Sequence, residues 1–150
     1  MSIALEGVHP SPRDFIRMSQ QELDDLFRAS PTGPIPTGRV TGTAIFMPGT
    51  IVAPIVRLFV RWFCWKGKVF ESGGAELRNR ISPFGFKAIR ARVSYDKSWL
   101  DGSRAILIDY SRTSFVAQKI RDEIREVRPG VYIGKVWWGK RRLLDFALEV

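Results

Sequence analysis

The sequence predicts a mainly β domain, an antiparallel β-barrel of about eight strands, with one N-terminal helix ahead of the first strand and a second helix inserted after it. Three observations carry this. Short runs of β-branched and aromatic residues recur between residues 39 and 149, separated by glycine and proline turns at the intervals of a meander. Two stretches depart from that grammar, a capped amphipathic segment at 19–29 and an apolar run without alternation at 51–65. The chain has 150 residues, 45% of them apolar and 26% charged, which suits one domain with its own core and excludes a disordered chain. A barrel is the economical solution for many short strands, because it leaves no long open edge.

The first helix starts at a capping box, Ser19-Gln-Gln-Glu22, in which the serine hydroxyl and the glutamate carboxylate satisfy each other's backbone N–H groups. Leu23, Leu26 and Phe27 follow at helical spacing. Pro31-Thr-Gly-Pro-Ile-Pro-Thr-Gly38 forbids a regular element, so residues 1–37 read as a helix and linker packed on a barrel of residues 38–150. Residues 39–47 form the first strand and end at Pro48-Gly49. Residues 54–64 read as a helix with Arg57 and Arg61 on one face. Its apolar surface is wide enough to pack deep against a sheet or to cover the mouth of a cavity.

Strands are expected at 68–71, 76–81 and 86–95, divided by Ser72-Gly73-Gly74 and by Ser82-Pro83. Asp101-Gly102 marks a hairpin turn, and residues 104–110 form the most apolar strand, expected at the centre of the sheet. Residues 112–128 admit two readings. Val116, Ile120, Ile124 and Val127 recur at helical spacing and would make one long helix, whereas Pro129-Gly130 before a clear strand at 131–138 implies a hairpin. The reading adopted is a helical turn at 113–120 and a strand at 121–128. The last strand is 141–149, after a turn at Gly139-Lys140.

The net charge of +9 is uneven, since residues 1–75 hold eight Lys or Arg against six Asp or Glu and residues 76–150 hold sixteen against nine. Such a field attracts nucleic acid, anionic lipid or acidic small molecules. The bases alternate with apolar residues, as in Lys87-Ala-Ile-Arg90-Ala-Arg92-Val93, the pattern of a strand with a wet outer face. The longest charge-free stretch, 40–56, is broken by Gly42, Pro48, Gly49 and Pro54 and is shorter than the ~20 apolar residues of a membrane-spanning helix. The start lacks a basic region followed by an apolar run and the end, FALEV, lacks a prenylation cysteine, so the cytoplasm is the expected compartment. One cysteine and one histidine give neither a disulfide nor a zinc-spaced cluster, and no metal or other cofactor is expected. Cys64 reads as a small buried hydrophobe and His9 as part of a solvated tail.

Gly38-Arg-Val-Thr-Gly42 opening a strand, Trp65-Lys-Gly-Lys-Val-Phe70 opening the next and a late strand with Gly134 resemble bacterial GXWXG-type proteins, with Val40 where that family has its tryptophan. Those proteins in turn look like the calycin group of lipocalins and fatty-acid-binding proteins. The resemblance covers residues 38–148 and implies a calycin-like barrel that binds one apolar or amphipathic small molecule, such as a fatty acid, an isoprenoid or a polyketide. A helix after the first strand is similar to the helical lid of the fatty-acid-binding proteins. The similar haem-binding barrels use a late histidine, whereas the histidine of this chain is His9.

A cavity for an amphipathic ligand needs a few convergent polar groups, and two clusters offer them. One is Asp109-Tyr110, of which a strand turns only one inward. The other is Arg121-Asp122-Glu123-Ile124-Arg125-Glu126, where a strand would put Asp122, Ile124 and Glu126 on one face and Arg121, Glu123, Arg125 and Val127 on the other. The leading expectation is a ligand that enters beneath the 54–64 helix and is anchored by Arg121 or Arg125 with Tyr110, against Phe59, Trp62, Tyr95 and Tyr132. The alternative is a barrel enzyme, an isomerase, cyclase or hydrolase, using Asp109, Tyr110 and Asp122 or Glu123 for proton transfer. The competing structural reading pairs these charges with one another on an outer face. Two surface readings remain: Trp137-Trp138-Gly-Lys-Arg-Arg142 as a single-stranded nucleic-acid platform, and the Arg57/Arg61 face with Trp62 on an anionic membrane surface.

Overall fold

The computed structural model describes residues 10–45, 68–70, 76–79, 89–109 and 119–150. Two short helices, α1 (Pro12–Phe15) and α2 (Gln20–Ala29), precede β1 (Gly38–Ile45), β2 (Lys68–Phe70), β3 (Glu76–Asn79), β4 (Ile89–Lys97), β5 (Arg104–Asp109), β6 (Ile120–Arg128), β7 (Val131–Trp138) and β8 (Arg141–Glu149). The molecule is mainly β. Its body is a six-stranded antiparallel sheet in the order β4-β5-β6-β7-β8-β1. The short β2 and β3 pair with each other and with β1 and β4 respectively.

Helix α2 begins at its capping box. Ser19 Oγ accepts from the Glu22 N–H at 3.1 Å, and the Glu22 carboxylate accepts from the Ser19 N–H at 3.3 Å. Helix α1 starts at Ser11, whose N–H and hydroxyl both donate to the Asp14 carboxylate, with Pro12 at the first turn. Both helices lie on one face of the sheet, the outer face. Phe15, Leu23 and Phe27, all fully buried, pack there with Ile45, Ala105, Val131, Ile133 and Ala147. Burial of each of these large side chains contributes roughly 1.5–3 kcal/mol.

The inner face has its own core. Val40, Val93, Ile106, Ile108, Ile124, Tyr132, Phe146 and Leu148 come from β1 and β4 to β8 yet form one cluster, so the sheet curls strongly about them. Gly134 on β7 lies under the Phe146 ring of β8, and a Cβ at that glycine would overlap the ring. The late glycine therefore lets two strands pack a phenylalanine flat against backbone.

Residues 120–128 are a strand, paired with β5 on one side and β7 on the other, which overturns the single long helix. Ile120 and Ile124 are four apart, a spacing that satisfies both the helical period and the two-residue period of a strand. The turn at Pro129-Gly130, with Gly130 at φ +82°, decides between them by starting a hairpin. The 54–64 helix with Phe59, Arg57, Arg61, Trp62 and Cys64, the tail with His9, Tyr110 and most of the helical turn expected at 113–120 lie outside the described residues. Among the described residues no helix is long and apolar enough to cross a membrane.

The antiparallel order gives the sheet two distinct ends. The turns 98–103 and 129–130 lie at one end with the start of β1, and the turn 139–140 lies at the other. The Pro/Gly linker crosses the first of these. The Glu126 N–H donates to the carbonyls of Pro31 (3.1 Å) and Thr32 (3.3 Å), and Thr32 Oγ1 donates to the Arg104 carbonyl at 2.8 Å. The Tyr132 hydroxyl donates to Pro34 at 2.6 Å and the Tyr95 hydroxyl to Gly33 at 3.3 Å. One extended segment thus engages the ends of β4, β5, β6 and β7.

Candidate functional site

Strand alternation on β6 sorts the candidate residues. Ile120 and Ile124 belong to the inner core, so Asp122 and Glu126 face inward while Arg121, Glu123 and Arg125 face outward. Asp122 is 3% exposed, and its backbone pairs with Ile108 of β5 and Val136 of β7. Among the described residues, the charged group at the middle of the inner face is therefore a carboxylate, flanked along its strand by Ile120 and Ile124 and across it by Ile108.

Tyr132 lies on the same face, buried, with its hydroxyl committed to the linker. Burial, and after it the neighbouring Glu126 carboxylate, pushes its phenol above the ordinary tyrosine value, so it stays protonated and remains a donor. Tyr95 stands at the same end of β4, 39% exposed, with the Arg104 guanidinium 4.0 Å over its ring.

The two arginines offered as ligand anchors do not reach the inner face. Arg125 is 2% exposed and uses all five of its N–H groups on protein acceptors. Nε donates to the Arg104 carbonyl, Nη1 to the Phe27 carbonyl and Asp101, and Nη2 to Asp101 and the Ser103 carbonyl. Arg121 donates to Glu123 Oε1 at 3.0 Å and to the Lys97 carbonyl at 2.6 Å, and stacks 4.3 Å over the Trp99 ring. Glu123, fully buried, also accepts from Ser98 Oγ at 2.7 Å and the Trp99 N–H at 2.8 Å. The outer face of β6 is an ion-paired seat for the β4–β5 hairpin and the end of α2.

The acid–base pair is divided in the same way. Ile106 and Ile108 face inward, so Asp109 faces outward, opposite Arg121, while Asp122 faces inward opposite Ile108. Asp109 and Asp122 therefore lie on opposite faces of the sheet. Glu123 shares the face of Asp109, but its oxygens hold the hairpin. In the Trp137-to-Arg142 segment, Trp137 packs edge-on against Trp99 at 5.7 Å and Arg142 pairs with Asp24 at 2.7 Å. Lys140 and Arg141 are exposed at the turn.

One charged cluster was not foreseen from the sequence. Lys135, fully buried on the outer face, donates to Asp145 Oδ2 and to Asp24, each at 2.8 Å, and Gln20 Nε2 donates to the same Asp145 oxygen at 2.9 Å. Burial raises the Asp24 carboxyl, but hydrogen bonds from Arg142 and Lys135 outweigh it and hold the group below the ordinary value. The signal was a lone cation in the apolar strand Val131–Trp138 and an acid, Asp145, set between Leu144 and Phe146 in Arg141–Glu149. Their meeting depends on a bulge: Trp137 pairs with Arg142, but Val136 pairs with Leu144, which brings Lys135 opposite Asp145.

No family model matches the chain, and no curated protein matches it. Among solved structures the chain is similar to a protein from Thermomonospora curvata known from its crystal structure, at 20% identity and a TM-score of 0.59, over 88% of this chain and 87% of that one. The likeness is one of fold.

Proposed function

We propose that the strands close as a calycin-like eight-stranded barrel that binds one hydrophobic or amphipathic small molecule inside, with Asp122 as its polar contact. The position of Asp122 carries this reading. A carboxylate among Ile108, Ile120, Ile124 and Val136 costs several kcal/mol more than an aliphatic residue unless hydrogen bonds compensate it. A carboxylate has about four acceptor sites and can take a ligand hydroxyl or amine beside a protein group. Closure is supported by β1 pairing with both β8 and β2 while β3 pairs with β4. The linker crossing one end favours ligand access at the other, where β1 ends and β2 begins.

This reading changes the head group expected from the sequence. With Arg121 and Arg125 committed outside, the inner wall favours a hydroxylated or amine-bearing amphiphile, of isoprenoid or polyketide type, over a fatty-acid carboxylate. The enzymatic alternative is not favoured, since Asp109 and Asp122 do not share a face.

Displacement of an environment-sensitive fluorophore by a long-chain alcohol, a long-chain amine and a fatty acid of equal length tests it. The alcohol or amine should bind about tenfold more tightly than the acid, the weight of one good hydrogen bond, and Asp122→Asn should remove most of the preference for the amine. Equal binding of all three, unchanged in Asp122→Asn, would remove Asp122 as the contact. No displacement by any of them would mean a side-chain-filled core.

A further inference from the structure

The linker that crosses one end of the sheet carries a single large aliphatic side chain, and that side chain packs onto the inner core. Residues 30–37, Ser-Pro-Thr-Gly-Pro-Ile-Pro-Thr, are uncharged, and Ile35 is their one aliphatic residue besides the prolines. Ile35 is partly buried against the inner cluster, and Pro36 beside it is buried. The two flanking prolines make this a stiff stopper. Pro34 and Pro36 hold their own φ at about −65°, and Pro36 disfavours a helical backbone at Ile35. The Tyr132 hydroxyl, on a ring that belongs to the inner cluster, donates to the Pro34 carbonyl at 2.6 Å. Ile35 is therefore held in place by the chain itself, and a ligand that meets it does not have to order it.

The inner face leads from Asp122 toward this stopper. Asp122 and Glu126 share the inward side of β6, and the Glu126 N–H meets the linker at Pro31 and Thr32, so strand geometry puts the linker about 13 Å from Asp122. The wall between them is apolar and buried, with Ile106 paired to Ile124 and Tyr132 paired to Leu148. In the other direction Trp138 and Leu143 are only partly buried. An apolar tail gains most where it leaves water completely, so it runs from Asp122 toward the linker and ends on Ile35.

We infer that Ile35 is the floor of the inner site and sets the length of apolar tail that an alcohol or amine bound at Asp122 can carry. The inference rests on the binding proposed for the inner face, and it adds the residue that selects among ligands of one head group.

A series of straight-chain alkylamines of increasing length, displacing an environment-sensitive fluorophore from the full chain, tests the inference. Affinity should rise by about fourfold per methylene up to a limiting length and then stop rising. Ile35→Ala, which removes three carbons from the floor, should raise that limit by about two or three methylenes, and Ile35→Phe should lower it. The shortest amines, whose tails end before the floor, should bind all three proteins equally. Hydrogen exchange at the Glu126 amide, which bonds to Pro31 and Thr32, should stay as slow in Ile35→Ala as in the parent, showing that the linker keeps its seat. Should Ile35→Ala fail to fold, Ile35→Val removes one methyl group and should raise the limit by about one methylene. An unchanged limit in every variant, with amine binding intact, would overturn the role of Ile35 and leave the inner site standing. A limit raised by Ile35→Phe as well as by Ile35→Ala would also overturn it, because release of the linker and not its floor would then set the length. Failure of every amine to displace the fluorophore from the parent protein would remove the inner site and the inference together.

Discussion

Arg125 and Asp101 meet side-on, with Nη1 2.6 Å from Oδ2 and Nη2 2.8 Å from Oδ1, beneath the last turn of α2. The same guanidinium holds the Phe27, Ser103 and Arg104 carbonyls, so one side chain fastens helix, hairpin and sheet. Removal of the buried arginine leaves a partly exposed carboxylate and three carbonyls without their donor, so Arg125→Met should cost about 1.5–3 kcal/mol in urea unfolding. Arg125→Lys should recover little of it, because an ammonium cannot reproduce the planar fork. A loss under ~1 kcal/mol for Arg125→Met would mean that these bonds are dispensable.

The carboxylates of this outer face set the acid limit of the fold. Hydrogen bonds from Arg125 hold Asp101 below its ordinary value of 3.8, and Asp24 is held below the same value by Arg142 and Lys135 against its burial. A carboxylate with a lowered native pKa contributes stability that is complete above its unfolded value and lost as pH falls through the native one. Urea midpoints should therefore hold steady down to about pH 5 and drop below about pH 4. Asp101→Asn should be less stable at neutral pH and show a shallower acid drop. An identical acid slope in the two proteins would contradict the assignment.

Lys135 and Asp145 are both fully buried and bonded to each other, which makes them a coupled pair. Lys135→Met alone should cost about 3–5 kcal/mol, because Asp145 keeps its charge without its cation. The double change Lys135→Met and Asp145→Leu should recover at least about half of that loss, giving a clear interaction energy in a double-mutant cycle. Strict additivity would show that the pair is not coupled.

Gly33 holds the linker at φ +71° against the Glu126 side chain. Gly33→Ala should destabilise by more than ~1 kcal/mol, since the strained backbone and the overlap act together. Tyr132→Phe, which deletes the bond to Pro34, should cost about 0.5–1.5 kcal/mol. Hydrogen exchange at the Glu126 amide, bonded to Pro31 and Thr32, should speed up in both variants. Unchanged protection there would show that the linker is not fastened by these contacts.

The strands were legible because their punctuation is chemical. Ser72-Gly73-Gly74, Asp101-Gly102, Pro129-Gly130 and Gly139-Lys140 each fall between two strands, and the capping box starts α2. Helix α1 was missed, although Ser11, Pro12 and Asp14 carry the same cap signature, because four residues show no periodicity. The facing of β6 could not be read, since both faces carry charge, and only the outer packing of α2 and the hairpin shows which set of charges can be satisfied. The Lys135–Asp145 contact was hidden by a one-residue shift between Val136 and Trp137 that leaves no mark in the sequence. Tyr110, Phe59 and Trp62 lie outside the described residues.

The most direct test of an inner ligand site is native mass spectrometry of the freshly purified protein, followed by solvent extraction of whatever travels with it. A mass increment equal to one hydroxylated or amine-bearing apolar molecule per chain, lost or exchanged in Asp122→Asn, is the expected result. A clean apo mass, unshifted by alcohol, amine or fatty-acid amphiphiles, would contradict it and leave the inner face as a packed core.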